Sequence, residues 1–96
     1  MRVMARISNP TEQGNTAIAD GSNARLIEEM AQRWNPEAMY FAMINGRRGA
    51  YVVFDLQDGS DIAAFCEPLF QGLDAEIEIF PVMTVEDLQG ALSNPT

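Results

Sequence analysis

The side chains that carry most enzyme chemistry are missing from this chain of 96 residues, which contains no histidine and whose six basic residues are all arginines. Their absence excludes His-based acid–base catalysis, Ser–His and Cys–His nucleophiles and lysine Schiff bases. Imidazole metal ligands are excluded as well. The sequence therefore assigns no catalytic residue and predicts no metal site and no cofactor.

Three carboxylates, Asp55, Asp58 and Asp61, surround Gly59 and raise the question of a cation loop. Their spacing lacks the alternate acids and the distal Glu of a calcium loop. A turn from strand to helix, with Asp58 or Ser60 capping the helix, explains the same residues. We favour the turn.

Glu76 and Glu78 alternate along a predicted strand, and Cys66 is the only thiol. Paired carboxylates can bind a hard cation, but charges beside a Pro-marked strand end more often prevent edge-to-edge pairing. Cys66 falls on the apolar stripe of a predicted helix, with no base in the chain to activate it. We expect an inert, buried thiol and no internal disulfide.

Three aromatic side chains with polar tips, Tyr40, Tyr51 and Trp34, stand among apolar residues. Such groups orient a ligand in a pocket, or they fill a sheet core. With Arg6 they form our speculative set of ligand contacts. The Arg47-Arg48 pair matches a carboxylate, although a hairpin tip also carries charge for solubility or for contacts with acids on a partner subunit.

A β-hairpin over residues 38–55 organises the chain, with apolar strands over 38–44 and 50–55 on either side of a Gly-containing loop. Both faces of both strands are apolar, so both must be covered. Phe41, Met43, Val52 and Phe54 are predicted to lie in the core or in a dimer interface, and the pattern does not say which.

The other predicted elements are a strand over residues 2–7, a helix over 61–71, a strand over 75–80 and a short helix through residue 92, followed by a frayed tail over 93–96. Pro68 predicts a bend or an early end of its helix, with Gly72 as a C-terminal cap. Thr84 and Asp87 have the spacing of a capping box.

The first helix has two possible starts. It begins with Ser22 as N-cap, or it runs from about residue 15 straight through Gly21. The longer helix is favoured because Ile18 lies on a face similar to that of Leu26. Both versions end at Asn35-Pro36.

This order of elements predicts a single α+β domain over residues 1–92, a ferredoxin-like βαββαβ sandwich. We expect a four-stranded antiparallel sheet in the order fourth, first, third, second, with both main helices on one face. The other face would carry apolar hairpin residues that one subunit leaves wet. A homodimer packed sheet on sheet would cover them.

The formal net charge of −8 argues against nucleic acids and anionic membranes as partners. The N-terminus does not read as a secretory signal, and no stretch is long enough to span a membrane. The expected compartment is the cytoplasm.

Several stretches resemble a family of small, uncharacterised bacterial proteins within the dimeric α+β-barrel superfamily: residues 33–37, the hairpin with 45–46 and 49–53, the acidic turn at 55–58, and 76–82. The resemblance implies a dimer with a ligand between helix and sheet. The superfamily includes cofactor-independent monooxygenases, muconolactone-type isomerases and haem-handling enzymes. Their catalytic residues are often histidines, so no catalytic role transfers to this chain.

Three hypotheses follow. The first is a dimeric accessory or sensor protein that binds a small hydrophobic molecule. The second is a cofactor-independent monooxygenase-like or isomerase-like enzyme acting on a small aromatic substrate. The third is a protein–protein adaptor that uses an acidic helix face.

Overall fold

The computed structural model describes residues 1–93, which form four strands and four helices. In chain order these are β1 Arg2–Ser8, α1 Thr11–Asp20, α2 Ser22–Trp34, β2 Ala38–Ile44, β3 Arg47–Asp55, α3 Asp61–Leu73, β4 Glu76–Pro81 and α4 Val85–Ser93. None of these helices is long and apolar enough to cross a membrane.

The four strands form one antiparallel sheet in the order β2-β3-β1-β4. Read from the β4 edge, this is the order fourth, first, third, second. Ala5 in the central strand β1 lies opposite Val52 of β3 and Ile79 of β4, which fixes the register on both sides. The α+β architecture with a four-stranded antiparallel sheet is as expected from the sequence.

Strand pairing sorts the sheet residues into two faces, because neighbouring side chains along a strand point to opposite sides. The face that α1, α2 and α3 cover, here called the helix face, carries the buried core residues of the two central strands: Val3, Ala5, Ile7, Ala50, Val52 and Phe54. The opposite side, here called the open face, has no helix layer among residues 1–93.

An aromatic cluster fixes α2 and α3 to one end of the helix face. Phe54 at the end of β3 stacks on Phe65 of α3, with ring centroids 4.4 Å apart. Trp34 at the end of α2 meets both rings edge-on, at 5.5 and 5.7 Å. Offset and edge-on pairs of this kind add stability beyond the area that they bury.

The hairpin turn is tighter than the sequence predicts. Asn45 and Gly46 both have positive φ, 53° and 77°, and β3 begins directly at Arg47. A two-residue turn with this geometry matches the twist of antiparallel strands, and Asn-Gly adopts it at little cost. The expected loop over residues 45–49 is therefore wrong, since residues 47–49 are already paired with β2.

The first helix is broken in two. α2 begins at Ser22, as in the shorter alternative, but its N-cap is Gly21 and not Ser22, and the favoured longer helix is wrong. Gly21 adopts a left-handed conformation with φ 83°, ends α1 and starts α2. Glycine reaches this region without a Cβ penalty, so the chain turns there instead of continuing. Ile18, whose spacing suggested one long helix, is half exposed as a result. α2 ends before Asn35-Pro36, as predicted.

α3 continues through Pro68 to Leu73, so the expected early end does not occur. Burial of Leu69 and Leu73 against the core outweighs the hydrogen bond that the proline removes. Gly72 is not the cap. Asp74, in a left-handed conformation, ends the helix and donates its N–H to the carbonyls of Leu69 and Phe70.

α4 begins with the predicted capping box. Asp87 N–H donates to Thr84 Oγ1 at 3.1 Å, and Thr84 N–H donates to Asp87 Oδ2 at 3.0 Å. The N–H of Thr84, and then its side chain, stabilise the ionised carboxylate and lower the pKa of Asp87, and Arg2 pairs with the same carboxylate at 2.9 Å. The helix includes Ser93, which the sequence assigned to the tail. The remaining tail residues, 94–96, lie outside the described part of the chain.

No residue of α4 is buried, although one side of it is apolar. Val85, Leu88 and Leu92 are all exposed. The helix is connected to the rest of the described domain mainly through Arg2 and the preceding turn, where Val82 N–H donates to the Arg2 carbonyl.

The aromatic cluster predicts a clear difference between two phenylalanines of α3. Phe65→Ala should lower the free energy of unfolding by about 3–5 kcal/mol, because it removes a buried ring. Phe70→Ala on the same helix should cost less than about 1 kcal/mol, because that ring is 41% exposed. Urea denaturation followed by circular dichroism measures both, and equal losses would contradict the packing described here.

Candidate functional site

A groove of about 410 Å³ opens between the hairpin and the helices. Its walls are mainly apolar: Ile7, Ile27, Met30, Phe41, Ala42, Met43, Gly49, Ala50, Leu69 and Leu73. Three polar side chains, Asn9, Asn23 and Arg48, line it as well. Its volume and its mainly apolar lining are typical of small-molecule sites.

The groove exists because side-chain size changes along β3. At one end, Phe54 fills the space below the helices as part of the aromatic cluster. At the other end, the helix face of the sheet offers the small side chain of Ala50 below the start of α2 and the end of α3, and Gly49 lines the groove with its backbone. Phe41 and Met43 of the edge strand β2 extend beyond the helices, 61% and 72% exposed, and form an apolar rim.

The polar lining is held by contacts between the β3 strand, α1 and the loop before it. Asn9 is buried; its N–H donates to the Arg48 carbonyl at 3.3 Å, and its Nδ2 donates to the Pro10 carbonyl at 3.3 Å. Arg48 Nη2 donates to Asn15 Oδ1 at 2.9 Å, and Nη1 donates to the Thr11 carbonyl at 3.5 Å. These contacts restrict both side chains.

Gly14 makes room for this arrangement. A Cβ atom at position 14 would lie 2.6 Å from Asn9 Nδ2 and 2.8 Å from Arg48 Nη1. Real Cβ contacts are essentially never this short. The bare backbone of α1 therefore lets the amide of Asn9 and the guanidinium of Arg48 lie together against the helix.

Three of the four predicted ligand contacts lie in one row across the open face. Tyr40 is opposite Tyr51, Tyr51 is opposite Arg6, and Arg6 is opposite Glu78. Arg6 and Glu78 form an ion pair at 3.5 Å. The Tyr51 hydroxyl, and then the charge of Glu78, raise the pKa of Arg6.

Trp34, the fourth predicted contact, lies on the helix face in the aromatic cluster. None of the four lines the groove. For four residues the sequence does not decide between the core and a dimer interface. All four lie on the helix face: Phe41, Met43, Val52 and Phe54. Val52 and Phe54 are buried core residues, and the other two form the rim of the groove.

Of the groove's polar residues, Arg48 could have been predicted from the sequence. It alternates along β3 with Ala50 and Val52 at intervals of two residues, so the hairpin pattern already places its side chain on their face. The longer turn expected from the sequence places Arg48 at the hairpin tip, as a carboxylate contact or a surface charge, and not beside the helices. Asn9 and Asn23 stand in segments that the sequence marks as breaks, and nothing local indicates that they approach the hairpin.

The acidic turn after β3 uses its carboxylates internally. Asp55 accepts a hydrogen bond from the N-terminal amine at 2.8 Å, which lowers the pKa of Asp55. Asp61 Oδ2 accepts from the N–H groups of Gln57 and Asp58, and Asp58 Oδ1 accepts from Ser60. Ser60 is the N-cap residue, without a side-chain cap bond. Among residues 1–93 no cluster of three metal-ligating side chains occurs.

A second depression, of about 520 Å³, lies between α3 and the β4 edge. Its lining consists of Gly59, Ile62, Ala63, Cys66, Phe70, Ile77 and Ile79. Apart from the Cys66 thiol, no side chain there could orient a polar ligand group. The groove beside Arg48 is the better candidate site for this reason.

Comparison with known proteins gives a fold and nothing more specific. No protein-family model matches the chain, and no curated protein matches it. Among solved structures, a formyltetrahydrofolate deformylase from Pseudomonas putida KT2440 is similar over 84% of this chain, with a TM-score of 0.50 and 10% sequence identity. The match spans 28% of the deformylase chain. At this identity the likeness concerns the fold alone.

Cys66 should react slowly with thiol reagents. Burial, and then the charge of Glu67, raise the pKa of its thiol. Because the thiolate is the reactive form, modification of the native protein near pH 8 should be at least about tenfold slower than in urea, where the pKa returns to about 8.5. Absorbance at 412 nm after addition of a disulfide reagent measures the rate, and fast native modification would contradict an inert thiol.

Proposed function

We propose that the protein is a homodimer of ferredoxin-like subunits, related in architecture to the dimeric α+β barrels, that binds a small hydrophobic molecule in the groove of each subunit. The observation that carries the proposal is the groove itself, an apolar space of about 410 Å³ with three polar side chains in its lining. The strand order and the helices on a single face support the ferredoxin-like description.

The dimer is supported by the open face. Met4, Tyr40, Val53 and Phe80 belong to it by strand pairing, and Tyr40 is 69% exposed. Sheets with apolar faces pack against each other about 10 Å apart, with their side chains interdigitated. Two copies related by a two-fold axis would cover these residues. Arg6 and Glu78 would be buried in such an interface as an ion pair, so neither charge would lack a partner.

The lining of the groove favours binding over catalysis. Its polar groups are two amides and a guanidinium, which neither take up nor release a proton near neutral pH. The enzyme alternative relied on Tyr40, Tyr51, Arg6 and Trp34, which lie outside the groove. An accessory or sensor role, in which the ligand is held and not transformed, fits this lining better.

Variants of two neighbouring residues in β2 distinguish the effect of a charge on the dimer from its effect on the groove. Tyr40→Asp places a charge on the open face and should convert the dimer to a monomer, with little effect on the fold because residue 40 is exposed. Phe41→Asp introduces the same charge on the helix face and should leave the dimer intact. Light scattering at micromolar concentration measures both masses. A monomeric wild type, or loss of the dimer in Phe41→Asp alone, would contradict the proposed interface.

Ligand binding is tested with the same two variants and a neutral apolar dye, N-phenylnaphthylamine. The dye should fluoresce with the wild type and with Tyr40→Asp. Phe41→Asp should weaken its binding by roughly tenfold, because a charge at the rim opposes transfer of an apolar molecule into the groove. Absence of dye binding to the wild type, or equal binding by all three proteins, would overturn the proposed site.

A further inference from the structure

We propose that the ligand of the groove is an amphipathic molecule with an anionic head, of the carboxylate class, and that Arg48 binds this head with the help of Asn9 and Asn23. The inference rests on the proposed function, because it specifies the chemistry of a molecule in the same groove. The inference concerns the polar residues of the lining, which would bind the head of the ligand, and the apolar walls would contact its apolar part.

The first argument is the charge of Arg48. Within residues 1–93, Arg48 forms no ion pair, and its hydrogen-bond partners are two neutral oxygens, of Thr11 and Asn15. These two bonds use only part of its five N–H donors. An arginine that lines an apolar groove and whose guanidinium has no carboxylate partner is suited to bind a carboxylate of a ligand.

Position separates Arg48 from the other arginines. Arg2 and Arg6 are paired with acids of the same chain. Arg33 lies over the Trp34 ring, 5.1 Å from its centroid. Of the six arginines, all of them in the described part of the chain, Arg48 alone lines either of the two large depressions.

The second argument is that this cation is held in place before a ligand arrives. The side-chain Oδ1 of Asn15 and the backbone carbonyl of Thr11 accept hydrogen bonds from the guanidinium and fix it, and Gly14 provides the space beside it. Restricting a long side chain in advance reduces the entropy lost on binding. Two uncharged amide groups also line the groove, that of the buried Asn9 beside Arg48 and that of Asn23 at the start of α2.

The third argument is the charge of the whole protein. With a formal net charge of −8, the chain repels anions on average. An anionic ligand would therefore need a local cation in order to bind, whereas a cation would not increase the affinity for a purely apolar ligand. Arg48 provides that cation in the same cavity that offers the apolar surface.

The experiment compares decanoate with decanol, which share a ten-carbon chain and differ in the head group. Each is titrated against the protein loaded with N-phenylnaphthylamine, and displacement of the dye is followed by fluorescence at pH 8. For the wild type, decanoate should displace the dye at a roughly tenfold lower concentration than decanol, as expected for a charge-assisted hydrogen bond.

Arg48→Gln should remove the preference for decanoate, because losing the charge weakens decanoate binding more than it weakens binding of decanol or of the dye. Arg47→Gln is the matched control: it removes the same charge from the adjacent residue, which the strand register places on the other face. It should keep the preference. Gly14→Ala keeps every charge but disturbs Asn9 and Arg48, so it should weaken decanoate more than decanol.

The outcomes separate this inference from the proposed function. Equal displacement by the two probes in the wild type, or an unchanged preference in Arg48→Gln, would overturn the anionic head while leaving the groove as a ligand site. Loss of dye binding in Arg48→Gln would also count against it, because the side chain would then support the groove and not a head group. Absence of dye binding to the wild type would overturn both proposals.

Discussion

Contact among three aromatic rings is the interaction on which the arrangement of this domain depends. Phe54, Phe65 and Trp34 connect the sheet to α3 and α2 at one end of the helix face. Once the helices are fixed there, the space below their other ends is set by the sheet residue Ala50, whose side chain is small. The groove is thus the consequence of a large anchor at one end of β3 and a small side chain on the same face further along it.

The same domain leaves apolar surface uncovered elsewhere, since its helices form one layer over a sheet with two apolar sides. The open face carries Tyr40 and Phe80, and α4 carries Leu88 and Leu92 beside the start of β1. Surface of this kind on a small domain usually meets another protein.

The sequence predicted those features that depend on short-range chemistry. Alternating apolar residues predicted the strands, Asn45-Gly46 predicted the hairpin, and the Thr84–Asp87 spacing predicted the cap of α4, which is confirmed. These elements are determined by neighbours in the chain, so their signals are local.

The missed features depend on long-range packing or on a single backbone angle. The break at Gly21 requires a positive φ that glycine permits but does not enforce. The passage of α3 through Pro68 depends on the burial of Leu69. For the candidate site, the sequence singled out Phe41 and Met43 without assigning their face, and it missed the polar lining, because Asn9 reaches Arg48 only through the strand pairing.

The two-residue turn at Asn45-Gly46 also limits how this protein can evolve. Inserting or deleting one residue there would shift β2 against β3 and exchange the two sides of the edge strand. Phe41 would then lie on the open face and Tyr40 on the helix face beside the groove. Length changes in this exposed turn should therefore be far less tolerated than in the loop between β3 and α3, even though both turns lie at the surface.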